Sequence, residues 1–195
     1  MKKFLVKILT ISLDSKNNLS IVSEPITPEG YDQLLREFKY LKDIEKPRVN
    51  KEKQTAAELG DRSENAEYHA AKEKLRHIDK RLFYLNSMIE KTQIIDPSQL
   101  EHSRVHFGLT VTLENIESGD EEIYTICGVL ESEVESGLIS IHAPLSKAMM
   151  GKRVGDEFTI HLPMGKKEYE VISLEYIPVF ERRKEHRTEE DFGFK

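Results

Sequence analysis

The chain has 195 residues, 38% hydrophobic and 33% charged, a balance that fits two modest domains, or one with an exposed extension, better than one large core. Its formal net charge of −6 excludes a protein that coats nucleic acid non-specifically, because such proteins carry a basic excess. The single cysteine, Cys127, excludes an internal disulfide framework and favours a reducing cytoplasm, and no segment reaches the roughly 18 apolar residues that span a bilayer.

The first 25 residues differ in composition from those that follow. Two β-prone runs, at 4–13 and 19–22, flank Asp14-Ser-Lys-Asn-Asn18, a composition that favours a turn. We therefore expect residues 1–25 to form an N-terminal extension with a small hairpin or an added edge strand. The start resembles a signal peptide, but Lys7 interrupts its apolar stretch and no small-residue cleavage site follows.

Residues 26–96 have the periodicity of two long helices. Thr27-Pro28-Glu29 is a typical helix start, and an apolar stripe with three-and-four spacing follows at Tyr31, Leu34, Phe38 and Leu41. The stripe becomes polar at Glu45 and Glu52, and at Pro47 we expect a kink rather than the end of the helix. The second run has the seam of a coiled coil, formed by Tyr68, Ala71, Leu75, Ile78, Leu82, Leu85 and Ile89.

Because only a few residues join these two runs, the helices must lie antiparallel, with residues 60–65 at the far tip of the hairpin. Asp61-Arg-Ser-Glu64 at this tip is a capping box, and on spacing alone capping is the commoner role of such a pair. Two carboxylates three residues apart can also converge on Mg²⁺, although they supply only half a site that a partner must complete.

The periodicity changes to two at Val105, after a short linker at 97–102. Further β-prone runs follow at 122–130, 138–142, 157–162 and 168–177, with hairpin turns at 118–120 and 164–166. We therefore expect residues 103–178 to form an antiparallel β-sheet domain that also holds a short helix at 145–150. Residues 179–195 are dense in charge and favour a disordered tail.

Two further groups of residues are candidates for binding. Lys72, Arg76 and Lys80 recur at four-residue spacing on the second helix, where the alternative is ordinary solvated charge. The short helix at 145–150 carries the adjacent methionines Met149 and Met150, which either pack in the core or belong to a binding surface.

Residues 60–73, Gly-Asp-Arg-Ser-Glu-Asn-Ala-Glu-Tyr-His-Ala-Ala-Lys-Glu, resemble the signature of the Gre family of transcript-cleavage factors. The resemblance covers about residues 26–177 and includes Thr27-Pro-Glu-Gly-Tyr, Ile94-Ile-Asp, His106-Phe-Gly-Leu-Thr-Val and Ile139-Ser-Ile-His-Ala-Pro. It implies an α+β fold, with an N-terminal antiparallel coiled-coil hairpin and a C-terminal FKBP-like domain. The chain has no tryptophan and no aromatic-lined pocket motif, which argues against prolyl isomerase activity.

The resemblance also implies a function. The sheet domain would dock on RNA polymerase through Ser146, Met149 and Met150, and the coiled coil would enter its secondary channel. Asp61 and Glu64 would help to hold a second Mg²⁺ while a backtracked polymerase cleaves its own transcript, and the 3′ end of the nascent RNA would be held by Lys72, Arg76 and Lys80. The chain would thus be a monomeric catalytic cofactor rather than an enzyme, with no tightly bound metal when free.

Two other functions stay open at this point. A channel-binding regulator of the same fold that does not stimulate cleavage would fit the N-terminal extension and the charged tail, which both depart from the family pattern. The intact Asp61 and Glu64 pair favours cleavage, and the tip signature argues against a mere coiled-coil scaffold. The subtype is also open, because Asp61-Arg-Ser-Glu-Asn65 resembles GreB whereas Tyr68-His-Ala-Ala-Lys-Glu73 resembles GreA.

Overall fold

The computed structural model describes residues 23–58, 65–163 and 165–182. Within these ranges two long helical arms precede a five-stranded sheet, so the predicted α+β fold is confirmed. The strand runs predicted before residue 23 and the tail predicted after Arg182 lie outside the described residues. No helix of the described part is long and apolar enough to cross a membrane.

The first arm passes Pro47 without ending. It consists of α1 (Pro28–Tyr40), a π-helical turn (Leu41–Glu45) and α2 (Lys46–Glu58). Proline lacks an amide hydrogen and crowds the turn before it, and a π-helical turn is a common form of such a local irregularity. The irregularity predicted at Pro47 is therefore confirmed, and it lies in the turn just before the proline.

The second arm is α3 (Ala66–Lys91), and it packs along the first arm as the seam predicted. Its buried residues Ala71, Leu75 and Ile78 contact Val49 of α2, whose side chain is fully buried. Val49 is not expected from the sequence, because the stripe predicted there continues through Glu52, which is exposed in the structure. A π-helical turn contains one residue more than an α-helical turn. The positions of the stripe therefore follow one another at two successive steps of four residues, from Leu41 to Glu45 and from Glu45 to Val49.

Glu45 is a buried carboxylate that joins the two arms. Its side chain accepts hydrogen bonds from Arg48 Nη2 at 2.7 Å and Nε at 2.9 Å, from Lys74 Nζ of α3 at 2.8 Å and from the Tyr40 hydroxyl at 3.3 Å. The hydrogen bonds from Arg48, reinforced by Lys74, lower the pKa of Glu45 to about 2 against the opposing effect of burial. The polar position in the seam is therefore a cross-link between the arms.

The strands of the sheet are β3 (Thr110–Asn115), β4 (Glu121–Cys127), β5 (Leu138–Ser140), β6 (Glu157–Leu162) and β7 (Gly165–Glu175). They lie in the order β5-β4-β3-β7-β6. All pairs are antiparallel, as expected, except that β4 and β5 pair in parallel. The short helix α4 (Pro144–Met149) covers one face, where the core includes Val111, Leu113, Ile126, Met149 and Val171.

A pair of short strands and one short helix were not expected from the sequence. Strand β1 (Glu24–Ile26) pairs in parallel with β2 (Thr92–Ile94), which places the entrance of the first arm beside the exit of the second. Helix α5 (Val179–Arg182) packs Val179 against Cys127 and Leu138. The prediction of a disordered tail is therefore wrong for residues 179–182, because Val179 closes a small apolar cluster behind the sheet.

The helical arms and the sheet are joined at Glu131, a carboxylate buried in the loop after β4. Glu131 accepts hydrogen bonds from the hydroxyl and the amide of Thr27, the N-cap of α1, and from the amide of Gly128 at 3.0 Å. The carboxylate lies so close to Gly30 that a Cβ there would be 2.2 Å from Glu131 Oε1. Gly30 is thus required by close approach, although glycine is a poor helix former.

Replacement of Glu45 by glutamine should destabilise the protein, because it removes the charge that Arg48 and Lys74 share. We expect Glu45→Gln to lower the free energy of unfolding at neutral pH by roughly 1–2 kcal/mol in urea titrations followed by circular dichroism. A carboxylate with a depressed pKa stabilises the fold above its ordinary value of 4.5 and loses that effect as the pH falls towards about 2. The difference from wild type should therefore shrink over that interval.

The matched control is Glu52→Gln, because Glu52 also pairs with Arg48 but on the exposed face. It should cost less than about 0.5 kcal/mol. Equal losses for the two variants would contradict the cross-link assigned to Glu45.

Gly30→Ala should also destabilise the protein, although alanine is the better helix former by about 1 kcal/mol. The methyl group would collide with Glu131, whose side chain is held by Thr27 and Gly128 and cannot withdraw freely. We expect a net loss of roughly 1–3 kcal/mol in the free energy of unfolding. Asp32→Ala, on the exposed side of α1, is the control, and a Gly30→Ala variant more stable than wild type would refute the close contact.

Candidate nucleic-acid interface

The far end of the hairpin is held together by Asn65. Its Nδ2 donates a hydrogen bond to the carbonyl of Ala56 at 2.6 Å, and its Oδ1 accepts one from the amide of Tyr68 at 3.0 Å. Asn65 therefore caps α3 and ties it to α2 with the same side chain. The predicted capping box is wrong at this point, because the N-cap of α3 is Asn65 and not Asp61.

The acidic pair predicted for the tip lies outside the described residues. Asp61 and Glu64 belong to the six residues between Glu58, where α2 ends, and Asn65. Their part in holding a metal stays a prediction. Within the described ranges, no group of three or more histidine, cysteine, aspartate or glutamate side chains could hold a metal ion.

A groove of about 1030 Å³ runs between α2 and α3 along one side of the hairpin. The three residues predicted as a basic face, Lys72, Arg76 and Lys80, all line it. The other lining residues come from both arms and are Lys46, Asn50, Lys53, His69, Glu73, Leu75, Asp79 and Phe83. The groove starts near the tip, beside Lys53 and His69, and continues away from it to Lys46 and Phe83.

The charge of the groove is positive, since its lining contains five lysines and arginines against two acidic residues. One acid is bound by Lys46, whose Nζ lies 2.7 Å from Asp79. Lys53, Lys72 and Lys80 have no ion-pair partner among the described residues. In a chain of net charge −6 these three ammonium groups form a local site that can attract the phosphates of an extended nucleic acid.

Arg76 differs from its two neighbours in the predicted basic face. Its Nε donates to the carboxylate of Glu73 at 3.0 Å, and this hydrogen bond raises the pKa of Arg76 and lowers that of Glu73. The guanidinium is therefore held by its own helix. Because part of its charge is already compensated, Lys72 and Lys80 are the stronger candidates for phosphate contacts.

The α2 side of the groove is not predicted by the sequence pattern. Lys46, Asn50 and Lys53 are spaced by four and three residues and face the row on α3. Their common side follows from the burial of Val49, which sets the rotation of α2 against α3. If the buried stripe of α2 is placed at Val49 instead of Glu52, the pattern predicts that Lys46, Asn50 and Lys53 face the groove.

Two of the three predicted docking residues are part of the core. The side chains of Ser146 and Met149 are fully buried; Ser146 Oγ donates to the carbonyl of Ser140 at 2.7 Å, and Met149 packs under the sheet. Their prediction as contact residues is therefore wrong, because α4 turns these positions inward to attach itself to the sheet. Met150 is partly buried, whereas Pro144 and Lys147 are exposed on the outer side of α4.

Comparison with known proteins agrees with this architecture. Two family models match, "Transcription elongation factor, N-terminal" over residues 24–94 and "Transcription elongation factor, GreA/GreB, C-term" over residues 100–176. Transcription elongation factor GreA of Nautilia profundicola is 47% identical over 153 residues, which cover 78% of this chain and 94% of that protein. The chain belongs to the GreA/GreB family of transcription elongation factors.

Other members of the GreA/GreB family are similarly close. GreA of Nitratiruptor sp. is 48% identical over 156 residues, covering 80% of this chain and 95% of that protein, and GreA of Helicobacter hepaticus is 44% identical over 156 residues, covering 80% and 96%. Among solved structures, GreA factor homolog 1 of Thermus thermophilus is 25% identical with a TM-score of 0.38, covering 78% of this chain and 99% of that one. The two family models and the GreA relatives confirm the predicted Gre family.

We expect the groove to bind unpaired RNA through the lysines that have no ion-pair partner in the described part of the chain. We expect the double variant Lys72→Ala, Lys80→Ala to bind a fluorescent oligoribonucleotide roughly tenfold more weakly at low salt. The slope of log K against log salt concentration should become shallower by about 1.4, because two phosphate contacts are lost. Fluorescence anisotropy over a series of salt concentrations measures both quantities.

The control variant, Lys39→Ala, Lys51→Ala, removes the same charge from exposed positions that do not line the groove. It should retain most of the affinity. An equal loss in the two double variants would mean that net charge, not the groove, attracts RNA.

Proposed function

We propose that this GreA/GreB-family chain binds RNA polymerase and stimulates cleavage of the nascent transcript in backtracked complexes. The observation that carries the proposal is the cationic groove, which follows the hairpin in the direction of the segment that contains Asp61 and Glu64 and is lined as far as Lys53 and His69. Lysines along the side would hold the phosphates of the extruded RNA, and the acidic residues would act at its scissile bond. The basic and the acidic side chains would thus act on different parts of the same RNA.

The shape of the hairpin suits this role. The 26 residues of α3 extend about 39 Å at 1.5 Å per residue, so the tip can reach a centre inside another protein while the sheet domain stays outside it. We infer that the secondary channel of the polymerase receives the hairpin. Glu45 and Asn65 stiffen the arms at their middle and end, which reduces the entropy lost when the tip is positioned.

Asp61 and Glu64 are the residues that would hold a Mg²⁺ ion at the tip. Carboxylate oxygens are ligands that Mg²⁺ prefers, but two of them cannot complete its octahedral shell, so the polymerase and water would supply the rest. When bound, the ion would activate a water and stabilise the leaving oxygen. The chain would therefore be a catalytic cofactor for the polymerase and not a nuclease by itself.

The sheet domain would contact the polymerase at the channel entrance. The outer side of α4, with Pro144 and Lys147 exposed, takes the place of the buried Ser146 and Met149 in this proposal. A monomer is sufficient for it, because one chain supplies the tip, the groove and the docking surface.

Cleavage in stalled, backtracked elongation complexes tests the proposal directly. Addition of the protein with Mg²⁺ should shorten the 3′ end of labelled RNA, and Asp61→Ala or Glu64→Ala should slow this reaction on the order of a hundredfold, because each removes a metal ligand. Gels of the labelled transcript measure the rate.

Glu58→Ala removes an exposed carboxylate near the tip and should leave the rate nearly unchanged. Full activity of the Asp61 and Glu64 variants would exclude the proposed mechanism. Binding to polymerase without any shortening would instead favour a regulator of the same fold, and no binding at all would favour a scaffold.

A further inference from the structure

Phe83 is an exposed aromatic residue at the end of the groove farther from the tip. Its side chain is 80% exposed, a fraction exceeded among large hydrophobic residues of the described ranges only by Val134 at 84%. Phe83 lies three residues after Lys80 on α3, so the two share one face of the helix. It also lines the groove together with Lys80 and Arg76.

Packing of the hairpin does not account for an aromatic residue at this position. The neighbouring Leu82 and Leu85 face the first arm, where Leu82 packs beside Ile78 and Leu85 is fully buried. Phe83 points away from both apolar clusters. Its ring is therefore available to a ligand of the groove.

We propose that Phe83 is a stacking platform for a base of unpaired RNA held in this groove. The proposal rests on the proposed function for the identity of the ligand. Sites for single-stranded nucleic acid combine cations that follow the phosphates with aromatic rings that stack on the bases, and such stacking tolerates any sequence. Lys72 and Lys80 supply the first part, and Phe83 supplies the second.

Because of the position of Phe83 on α3, its contact with RNA should depend on the length of the extruded RNA. It lies 18 residues beyond Asn65, which is about 27 Å along the helix. At about 3.4 Å per stacked nucleotide, this distance corresponds to roughly eight nucleotides. RNA extruded by only two nucleotides would not reach Phe83, whereas RNA extruded by ten would.

The absence of tryptophan from the chain gives a direct test. In the full chain, Phe83→Trp introduces a single tryptophan, which can be excited at wavelengths where the seven tyrosines absorb little. Titration with a ten-nucleotide oligoadenylate at low salt should quench its emission. Val134→Trp, equally exposed but in the sheet domain, is the matched control and should not respond. In anisotropy assays Phe83→Ala should weaken binding roughly tenfold, and Phe83→Tyr should restore it, because the ring provides the contact.

Several results would overturn the proposal. These are unchanged Phe83→Trp emission across the titration, equal RNA affinity for wild type and Phe83→Ala, and a loss of polymerase binding in Phe83→Ala with RNA affinity unaltered. The last result would make Phe83 a contact for protein instead of RNA.

Cleavage assays distinguish this proposal from the proposed function. Phe83→Ala should match wild type on complexes backtracked by two nucleotides and cleave more slowly, roughly tenfold, on those backtracked by ten or more. Equal rates on the long substrates would overturn the stacking role while leaving the cleavage function intact. If wild type stimulated no cleavage, the proposed function would fail, and the oligoadenylate titration would still decide whether Phe83 stacks on RNA.

Discussion

The antiparallel packing of α3 on the first arm is the contact on which the other features of the hairpin depend. Most of the stability of a helix in a folded protein comes from packing of its apolar face, and burial of residues such as Val49, Leu75 and Leu85 stabilises the pair. The same seam fixes the rotation of each helix. It therefore determines that Lys53 and Lys72 face a common groove, and that Phe83 lines the end of this groove farther from the tip.

The local distribution of charge in this protein differs from its net charge. The chain is acidic overall, yet the groove is cationic because Asp79 and Glu73 are each bound by a neighbouring cation, while three lysines have no described partner. Glu45 is the opposite case, an acid whose charge is neutralised inside the seam by Arg48 and Lys74. A net charge of −6 is thus compatible with a site for RNA phosphates.

The junction at Glu131 relates the hairpin to the sheet domain. One buried carboxylate binds the N-cap of α1 and the loop after β4, and Gly30 leaves room for it. The parallel pairing of β1 with β2 closes the same end of the hairpin. If the tip acts inside another protein, as we propose, such a base positions it, because a small rotation at the junction would cause a large displacement at the end of a helix about 39 Å long.

The sequence by itself determined the elements that depend on local periodicity and local capping. These are the helix pair with its seam on α3, the start of α1 at Thr27, the strands of the sheet, the basic row at Lys72 and the family signature around Asp61. Tertiary structure alone decided the burial of Val49, Ser146 and Met149, the pairing of Glu45 with Lys74 and the second wall of the groove. Each of these depends on which face of one element meets another, and a π-helical turn of one extra residue was enough to change that face.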